Sequence, residues 1–461
     1  MMARRVRILV VVLLIASTRF DPAEATEWFV APGGTGPGTR TAPLGRVQDG
    51  LGSAMPGDIV TVRAGTYTDA LRTVRSGTAD APITLRAEPG GGPVLVTSAG
   101  TVLRVDHAHI VVEGLALDGQ YANAVAVDVN NGGSFLVLRR VEVRRSGRDC
   151  VDLAAPSNVL IEDSLIHHCL YPANGRSDAH GIVGGAVRDL TIRGTDIHTF
   201  SGDGIQLDPG RDAAGWDRVL VERCRIWLAP LTQSENGFAR GTVPGENALD
   251  TKASNNAPRA RLVVRDTQAL GFRGTIDNQA AFNLKENVDA MIDGVTVSDS
   301  EIAFRLRGPT TFSGAWVAVQ NAIVHDVVTA VRYEDNIENL RVWNSTFGLN
   351  VGRPFEAASS RSAGVNVRNL LVLGSRLPEE AFDRSNLAVP NASFVNAGAG
   401  DYHLVPGSPA IDVGAVVSSV LTDRDGVRRP QGNGPDIGAY EWLRPIMGGR
   451  PEGVFRPLLV R

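Results

Sequence analysis

Cysteine is nearly missing from this chain. Cys150, Cys169 and Cys224 are three among 461 residues, too few and too odd in number for a disulfide framework, so they read as core residues. Aromatic residues are scarce too, at 6%, and after residue 16 no apolar run is long enough to span a bilayer. A basic excess is also lacking. The formal charge is −4 and residues 1 to 25 contribute +2, which leaves the mature chain near −6 and sets nucleic acid aside as a partner. What is plentiful is Gly (51) and Pro (25), with Val, Leu, Ile and Ala as the main apolar residues. That composition suits many short strands joined by tight turns, with few long helices.

Residues 1–25 read as a signal peptide. Arg4, Arg5 and Arg7 precede the apolar run Ile8 to Ala16, and Ala23-Glu24-Ala25 offers a small-x-small cleavage site. The run is closed by Ser17, Thr18 and Arg19 and falls short of the roughly 20 residues a bilayer requires. Export follows, to the medium, the periplasm or the cell surface, with no transmembrane segment.

Residues 26–95 read as an N-terminal cap with the first coils. Trp28-Phe29-Val30 suggests a strand, the stretch through Gln48, Leu51 and Ala54 a short amphipathic helix that covers an open sheet edge, and Ile59-Val60-Thr61-Val62 a second strand. From about residue 96 to 375 a unit recurs: an apolar-x-apolar-x strand, a turn, a second strand and often a third. First strands align as Leu103-Arg104-Val105-Asp106, Val125-Ala126-Val127-Asp128, Val151-Asp152-Leu153, Ile182-Val183, Ile205-Gln206-Leu207-Asp208, Leu249-Asp250-Thr251-Lys252, Phe282-Asn283-Leu284-Lys285, Phe304-Arg305-Leu306-Arg307, Val331-Arg332-Tyr333-Glu334 and Phe355-Glu356. Spacings of 23 (182 to 205), 22 (282 to 304) and 24 (331 to 355) are too short for a helical crossover at every step. The expectation is an all-β, single-stranded right-handed parallel β-helix of ten coils, monomeric, with Asn-rich corners such as Asn130-Asn131 and Asn255-Asn256. The spacings of 44 (205 to 249) and 33 (249 to 282) mark insertions, which become loops on one face of a solenoid. Residues 376–442 read as a C-terminal cap and 443–461 as a basic tail.

In such a stack, outward side chains form columns about 4.8 Å apart per coil. One column runs Gln206, Asp250, Asn283, Arg305, Arg332. The next runs Asp208, Lys252, Lys285, Arg307, Glu334, and a third, at the turn before the strands, Asp149, His180, Asp203, Asn247, Ala280. Asp203, Asp208, Glu246, Asn247 and Asp250 offer only oxygen ligands, which points to a hard cation, Ca²⁺ before Mg²⁺. Lys252, Lys285, Arg305 and Arg307 would stack as like charges, which calls for an anionic partner. Oxygen ligands beside Lys and Arg suit elimination on a uronic acid. The C5 proton becomes acidic once the adjacent carboxylate is neutralised, and a lysine of depressed pKa removes it. Lys252, flanked by Lys285 and Arg307, is the expected base. His180 or Tyr171 would donate a proton to the leaving oxygen, while His167 and His168 fall on another strand and read as structural.

Glu246-Asn247-Ala248-Leu249-Asp250-Thr251-Lys252-Ala253-Ser254-Asn255-Asn256 resembles the segment of the chondroitinase B and alginate lyase family in which acidic or amide Ca²⁺ ligands stand a few residues before a Lys base. The resemblance implies Ca²⁺ ligands at Asn247, Glu246 and Asp203, and Lys252 as base. Where that family has an assisting Arg this chain has Asn283, so Lys285, Arg305 or Arg273 would substitute. The related Ca²⁺-dependent pectate and alginate lyases have an Asp-rich segment that Glu246 to Asp250 resembles, with the base one coil later, at or near Asn283. Gln206, Asn283, Arg273, Arg307 and Tyr171 would line the subsites for an acidic polysaccharide. The expected function is thus a secreted polysaccharide lyase. An inert glycan-binding β-helix and a C5 uronate epimerase are the alternatives.

Overall fold

The computed structural model describes residues 25–443, apart from 209–214, 253–258, 286, 310–311, 335, 359 and 361. The expected leader and tail, and the Asn255-Asn256 corner, lie outside the described residues, save Ala25 and Leu443. The chain winds as a right-handed parallel β-helix of about eleven turns. Each turn lays down up to three short strands, and successive turns stack them into parallel sheets of eleven, thirteen and thirteen strands. Sheet 1 runs from Leu71–Arg72 to Val351–Ala357, sheet 2 from Glu27–Val30 to Val365–Arg368, and sheet 3 from Gly65–Tyr67 to Leu387–Val389. The two-residue strand Leu71–Arg72 is the turn missing from the sequence alignment, too short to show a period of its own.

Period-two alternation builds the core. In sheet 2 the inward residues Val112, Leu138, Ile161, Ile192 and Val221 stack coil on coil and are almost wholly buried. Each such aliphatic side chain contributes about 1.5–3 kcal/mol on burial. Between sheets 2 and 3 the turns from residue 114 onward each pivot on one residue of positive φ, among them Asp163 (49°), Gly194 (56°), Asp266 (50°), Asn344 (45°) and Asn369 (53°). Asn, Asp and Gly tolerate that conformation best, and Asn369 Nδ2 reaches Asn344 Oδ1 at 3.3 Å on the coil before it.

The ends are closed differently. The helix Val47–Ser53 covers the first coil, burying Val47, Gly50 and Leu51. A Cβ on Gly50 would lie 2.7 Å from Val60 Cγ1, so only glycine allows this approach. Gln48 satisfies the exposed edge of sheet 1: its Oε1 accepts from Arg72 N at 2.7 Å and its Nε2 donates to Arg72 O at 3.1 Å. The segment after residue 375 first covers the last coil, with Ala381 in the core and Leu387–Val389 paired to Leu371–Leu373, and then runs back along the solenoid flank. Arg424 reaches Thr296 Oγ1 (2.6 Å), Arg429 reaches Asn321 Oδ1 (3.2 Å) and Ala439 N donates to Thr346 Oγ1 (3.0 Å).

Two sequence expectations need correcting. Cys150 and Cys169, read as separate core residues, form a disulfide, because adjacent coils bring Cα atoms 19 residues apart to 5.4 Å; buried Cys224 is free. Leu103 pairs with Val127, not Val125, so Asp128 stands beside Arg104. Val125, Val127 and Val129 alternate equally well in either register, and interior packing decides between them. No helix among the described residues is long and apolar enough to cross a membrane.

Candidate active site

The strands Ile205–Leu207, Leu249–Thr251, Ala280–Leu284, Ser300–Leu306 and Val327–Tyr333 lie side by side in sheet 1. Their registers set Gln206 against Asp250, Asp250 against Asn283, Asn283 against Arg305, and Arg305 against Arg332. The expected central column is therefore one continuous ribbon of sheet 1. Its residues nonetheless have little open surface: Asp250 is 1% and Asn283 5% exposed.

Asp250 is the hub. Its Oδ2 lies 2.5 Å from Lys252 Nζ on its own coil and 3.3 Å from Lys285 Nζ on the next. The two ammonium groups therefore share one carboxylate oxygen, and they are driven apart. Burial opposes the charge of Lys252, but the contact with Asp250 outweighs it and raises the lysine above its ordinary value. Lys285 is pulled down, first by burial and then by the neighbouring Lys252 charge, against the attraction of Asp250. Lys252 is thus held as the ion-paired cation, and Lys285, one coil later, is the lysine whose proton is held less tightly.

The composition itself sets this pair apart. Lys252 and Lys285 are the only two lysines in the chain; the other 44 cationic side chains of the 46 are arginine. Arginine cannot be deprotonated at accessible pH, whereas lysine can, so these two coils hold the one kind of cation able to act as a base.

The basic column does not stand unscreened, as expected from the sequence. Arg307 pairs with Glu334 (3.0 Å), and Arg332 with Glu356 (2.9 Å). Arg305 is different. No carboxylate among the described residues lies within ion-pair distance of it, Nη1 has only the carbonyl of Asn278 at 3.4 Å, and Nε is buried without a partner. Burial and then the Arg307 charge oppose its ionisation, against the attraction of the more distant Glu334 and Asp250. Asp250 Oδ1 and Asn283 Oδ1 are likewise buried with no hydrogen-bond partner among the described residues. Three consecutive coils thus present unmet polar atoms along one ribbon, an arrangement that costs free energy unless a ligand meets them.

The third column is a hydrogen-bond network. Asp203, fully buried, accepts from Asn247 Nδ2 (2.8 Å) and N (3.1 Å) at Oδ1 and from Gln206 Nε2 (2.9 Å) at Oδ2. Asn247 Oδ1 accepts from Ala280 N at 3.1 Å. His180 accepts the Asp203 N–H on Nδ1 (2.7 Å) and sets Nε2 3.2 Å from Gln206 Nε2. His180 is held against the network and 7% exposed. Beside this network Glu246 is pushed up to about 7, by burial and then by Asp203 and Asp178. Asp250 is raised by burial and by Asp203.

As a Ca²⁺ set, Asp203, Asp208, Glu246, Asn247 and Asp250 are divided. Asp203 and Asn247 are engaged with each other, and Asp208 holds its own contacts at the strand end. Asp250 Oδ1 and the Glu246 carboxyl are the oxygens left for a cation, and among the described residues no three His, Cys, Asp or Glu side chains gather as a metal site would. Two other expected residues lie off the ribbon. Arg273 pairs with Asp299 on the loop from sheet 3, and Tyr171 packs its ring under Arg148, 5.5 Å from the guanidinium. His167 and His168 sit on sheet 3, His167 stacked on His198 at 4.9 Å.

No protein-family model matches the sequence, and no curated protein is similar to it. Solved structures are similar in fold. A rhamnogalacturonan lyase aligns over 80% of this chain and 91% of its own, with 15% identity and a TM-score of 0.54. The pectate lyase Pel9A aligns over 90% and 96% (18% identity, TM-score 0.45), and the family 28 exopolygalacturonase of Yersinia enterocolitica over 77% and 80% (14%, TM-score 0.44). At these identities the likeness is one of architecture: the chain shares the parallel β-helix fold of solved polysaccharide lyases.

Proposed function

We propose that this ribbon is the active site of a polysaccharide lyase that cleaves a uronate-containing chain by β-elimination. The observation that carries the reading is the Lys252–Asp250–Lys285 cluster, made of the only two lysines in the chain, next to an Arg305 with no carboxylate in direct contact among the described residues. Neutral Lys285 takes the C5 proton of the uronate. The electron pair of that C–H bond forms the C4–C5 double bond as the C4–O glycosidic bond breaks, and the leaving oxygen is protonated. Arg305, with its free Nε, and the cationic Lys252 hold the carboxylate and spread the charge that develops next to it. Glu246, protonated up to about pH 7, is the proton source beside the ribbon. Ca²⁺ is kept as an alternative neutralising charge, for which Asp250 Oδ1 would be a ligand while Glu246 stays the proton source. It would supply Lewis acidity toward the carboxylate.

The test is digestion of uronate polymers, followed by the ultraviolet absorbance of the new conjugated double bond, with and without chelator. Lys285→Arg keeps the charge and removes the base, so activity should fall about 10²–10⁴-fold. Lys252→Arg keeps the charge where charge is its role and should lose far less. Equal activity for Lys285→Arg and the parent would sink the assignment. Deuterium entering C5 without chain cleavage would point to epimerisation, and binding without product to a glycan-binding protein.

A further inference from the structure

The carboxyl that serves as proton source in this reading does not sit on a strand. Glu246 lies near the end of the connection between Arg225–Trp227 and Leu249–Thr251, a stretch whose one bridge joins Glu235 to Phe238 and whose backbone has no ladder to fix it. A proton donor has to be held within about 0.5 Å of its working position, so groups outside that connection must place it. Both main-chain groups of Glu246 are taken by neighbouring coils. Its N–H donates to Gly202 O at 2.7 Å on the coil before, and its carbonyl accepts from Gln279 Nε2 at 2.6 Å on the coil after. Gly245 enters this contact at φ 94°, and a Cβ there would lie 2.5 Å from Phe200 O, so the backbone rests hard against the preceding coil.

Gln279 is fully buried and directly precedes Ala280, the last member of the third column. Both polar atoms of its side chain are engaged: Nε2 also reaches the Gly245 carbonyl at 3.5 Å, and Oε1 accepts from Thr275 N at 3.0 Å. Its own carbonyl accepts from Ile302 N at 3.1 Å, which ties it to the coil beyond. Among neutral side chains glutamine offers two donors and an acceptor at that reach, whereas a glutamate would set carboxylate oxygen against two carbonyls. We infer that Gln279 is a positioning residue for the elimination, acting through Glu246 by fixing the backbone from which that carboxyl reaches the leaving oxygen. The inference rests on the lyase reading above. It adds a residue 33 positions from Glu246 in sequence, which only the stacking of coils brings into contact.

The experiment measures kcat and KM of the full-length parent, Gln279→Met, Glu246→Gln and the double variant from the rate of unsaturated product. The substrate is whichever of polygalacturonate, alginate and chondroitin the parent cleaves fastest. Methionine keeps the length and bulk and removes the hydrogen bonds. Gln279→Met should lower kcat about tenfold or more, with KM within about threefold of the parent. In the Glu246→Gln background, where the proton source is already gone, the same change should cost less than about twofold, because residues acting through one group are not additive. An equal loss in both backgrounds would make Gln279 merely structural. A raised KM at unchanged kcat would place its effect on the Asn278 carbonyl that faces Arg305. Either result overturns the inference and leaves the lyase intact. If Gln279→Met melts early, Thr275→Pro on the exposed loop removes the N–H that holds Gln279 Oε1 and carries the same comparison. It should lower kcat about threefold alone and not at all beside Glu246→Gln, and equal losses would again overturn the inference. A Glu246→Gln enzyme as fast as the parent would overturn it too, and no unsaturated product from any of the three polymers would overturn both it and the lyase.

Discussion

Lys252 and Lys285 have the same side chain and the same partner oxygen, yet position gives them opposite protonation tendencies. Their spacing in the sequence does not show which is which, because the difference comes from burial and from the order in which coils stack. Glu246 shows the same dependence on surroundings. Its ordinary value of 4.5 is raised to about 7. An acid raised by folding contributes stability that is fully present below 4.5 and lost as pH rises through about 7. Glu246→Gln removes this titration. Thermal melts from acid to neutral pH should therefore show the parent losing Tm relative to the variant across that window, and level above it. A parent–variant difference that stays constant with pH would contradict the assignment.

At the scale of the strand, the outward face of sheet 2 carries an alternating ladder: Arg139, Glu162, Arg193, Glu222, Arg265 and Asp293 are successive neighbours in register. Opposite charges on adjacent coils stabilise the native pairing, and a two-residue slip would take them out of line. Glu222 is the strongest rung, 2.5 Å from both Arg193 and Arg265 with its side chain 2% exposed. The arginines are partly open to solvent, so Glu222→Gln should cost about 1–3 kcal/mol, less than a fully buried pair would. The shift in the urea midpoint measures it, and hydrogen exchange should localise the loss to strands Arg188–Arg193 and Ala260–Arg265. No change in either would show the ladder to be screened away. Partners separated by 29 to 43 residues gave no pattern a sequence reader could recognise until the coils were set in register.

Across the whole molecule, stability is passed between neighbouring coils, so damage at one end stays local. The C-terminal segment is fastened by Arg429, whose Nη1 lies 2.7 Å from Glu441 Oε1 with the side chains 3% and 0% exposed. Arg429 also reaches Asn321 Oδ1 and the carbonyl of Gly438. Arg429→Met leaves Glu441 buried with only the N–H groups of Gln431 and Asp436 and no counter-ion, at about 3–5 kcal/mol. Exchange protection should fall in the coils after about residue 290 and persist in those before residue 200, and a uniform loss along the chain would contradict this nearest-neighbour picture.

The repeat spacing, the alternation of apolar residues and the insertions on one face are local or periodic properties, and they determined the β-helix, its approximate number of turns and the ribbon from Gln206 to Arg332. The Cys150–Cys169 bond, the flank-lying C-terminal segment and the opposite protonation tendencies of Lys252 and Lys285 were decided only in three dimensions. Each depends on which atoms of different coils come within a few ångströms. That distance sets both desolvation and Coulomb energy, and it is a property of the packed stack, not of any one segment.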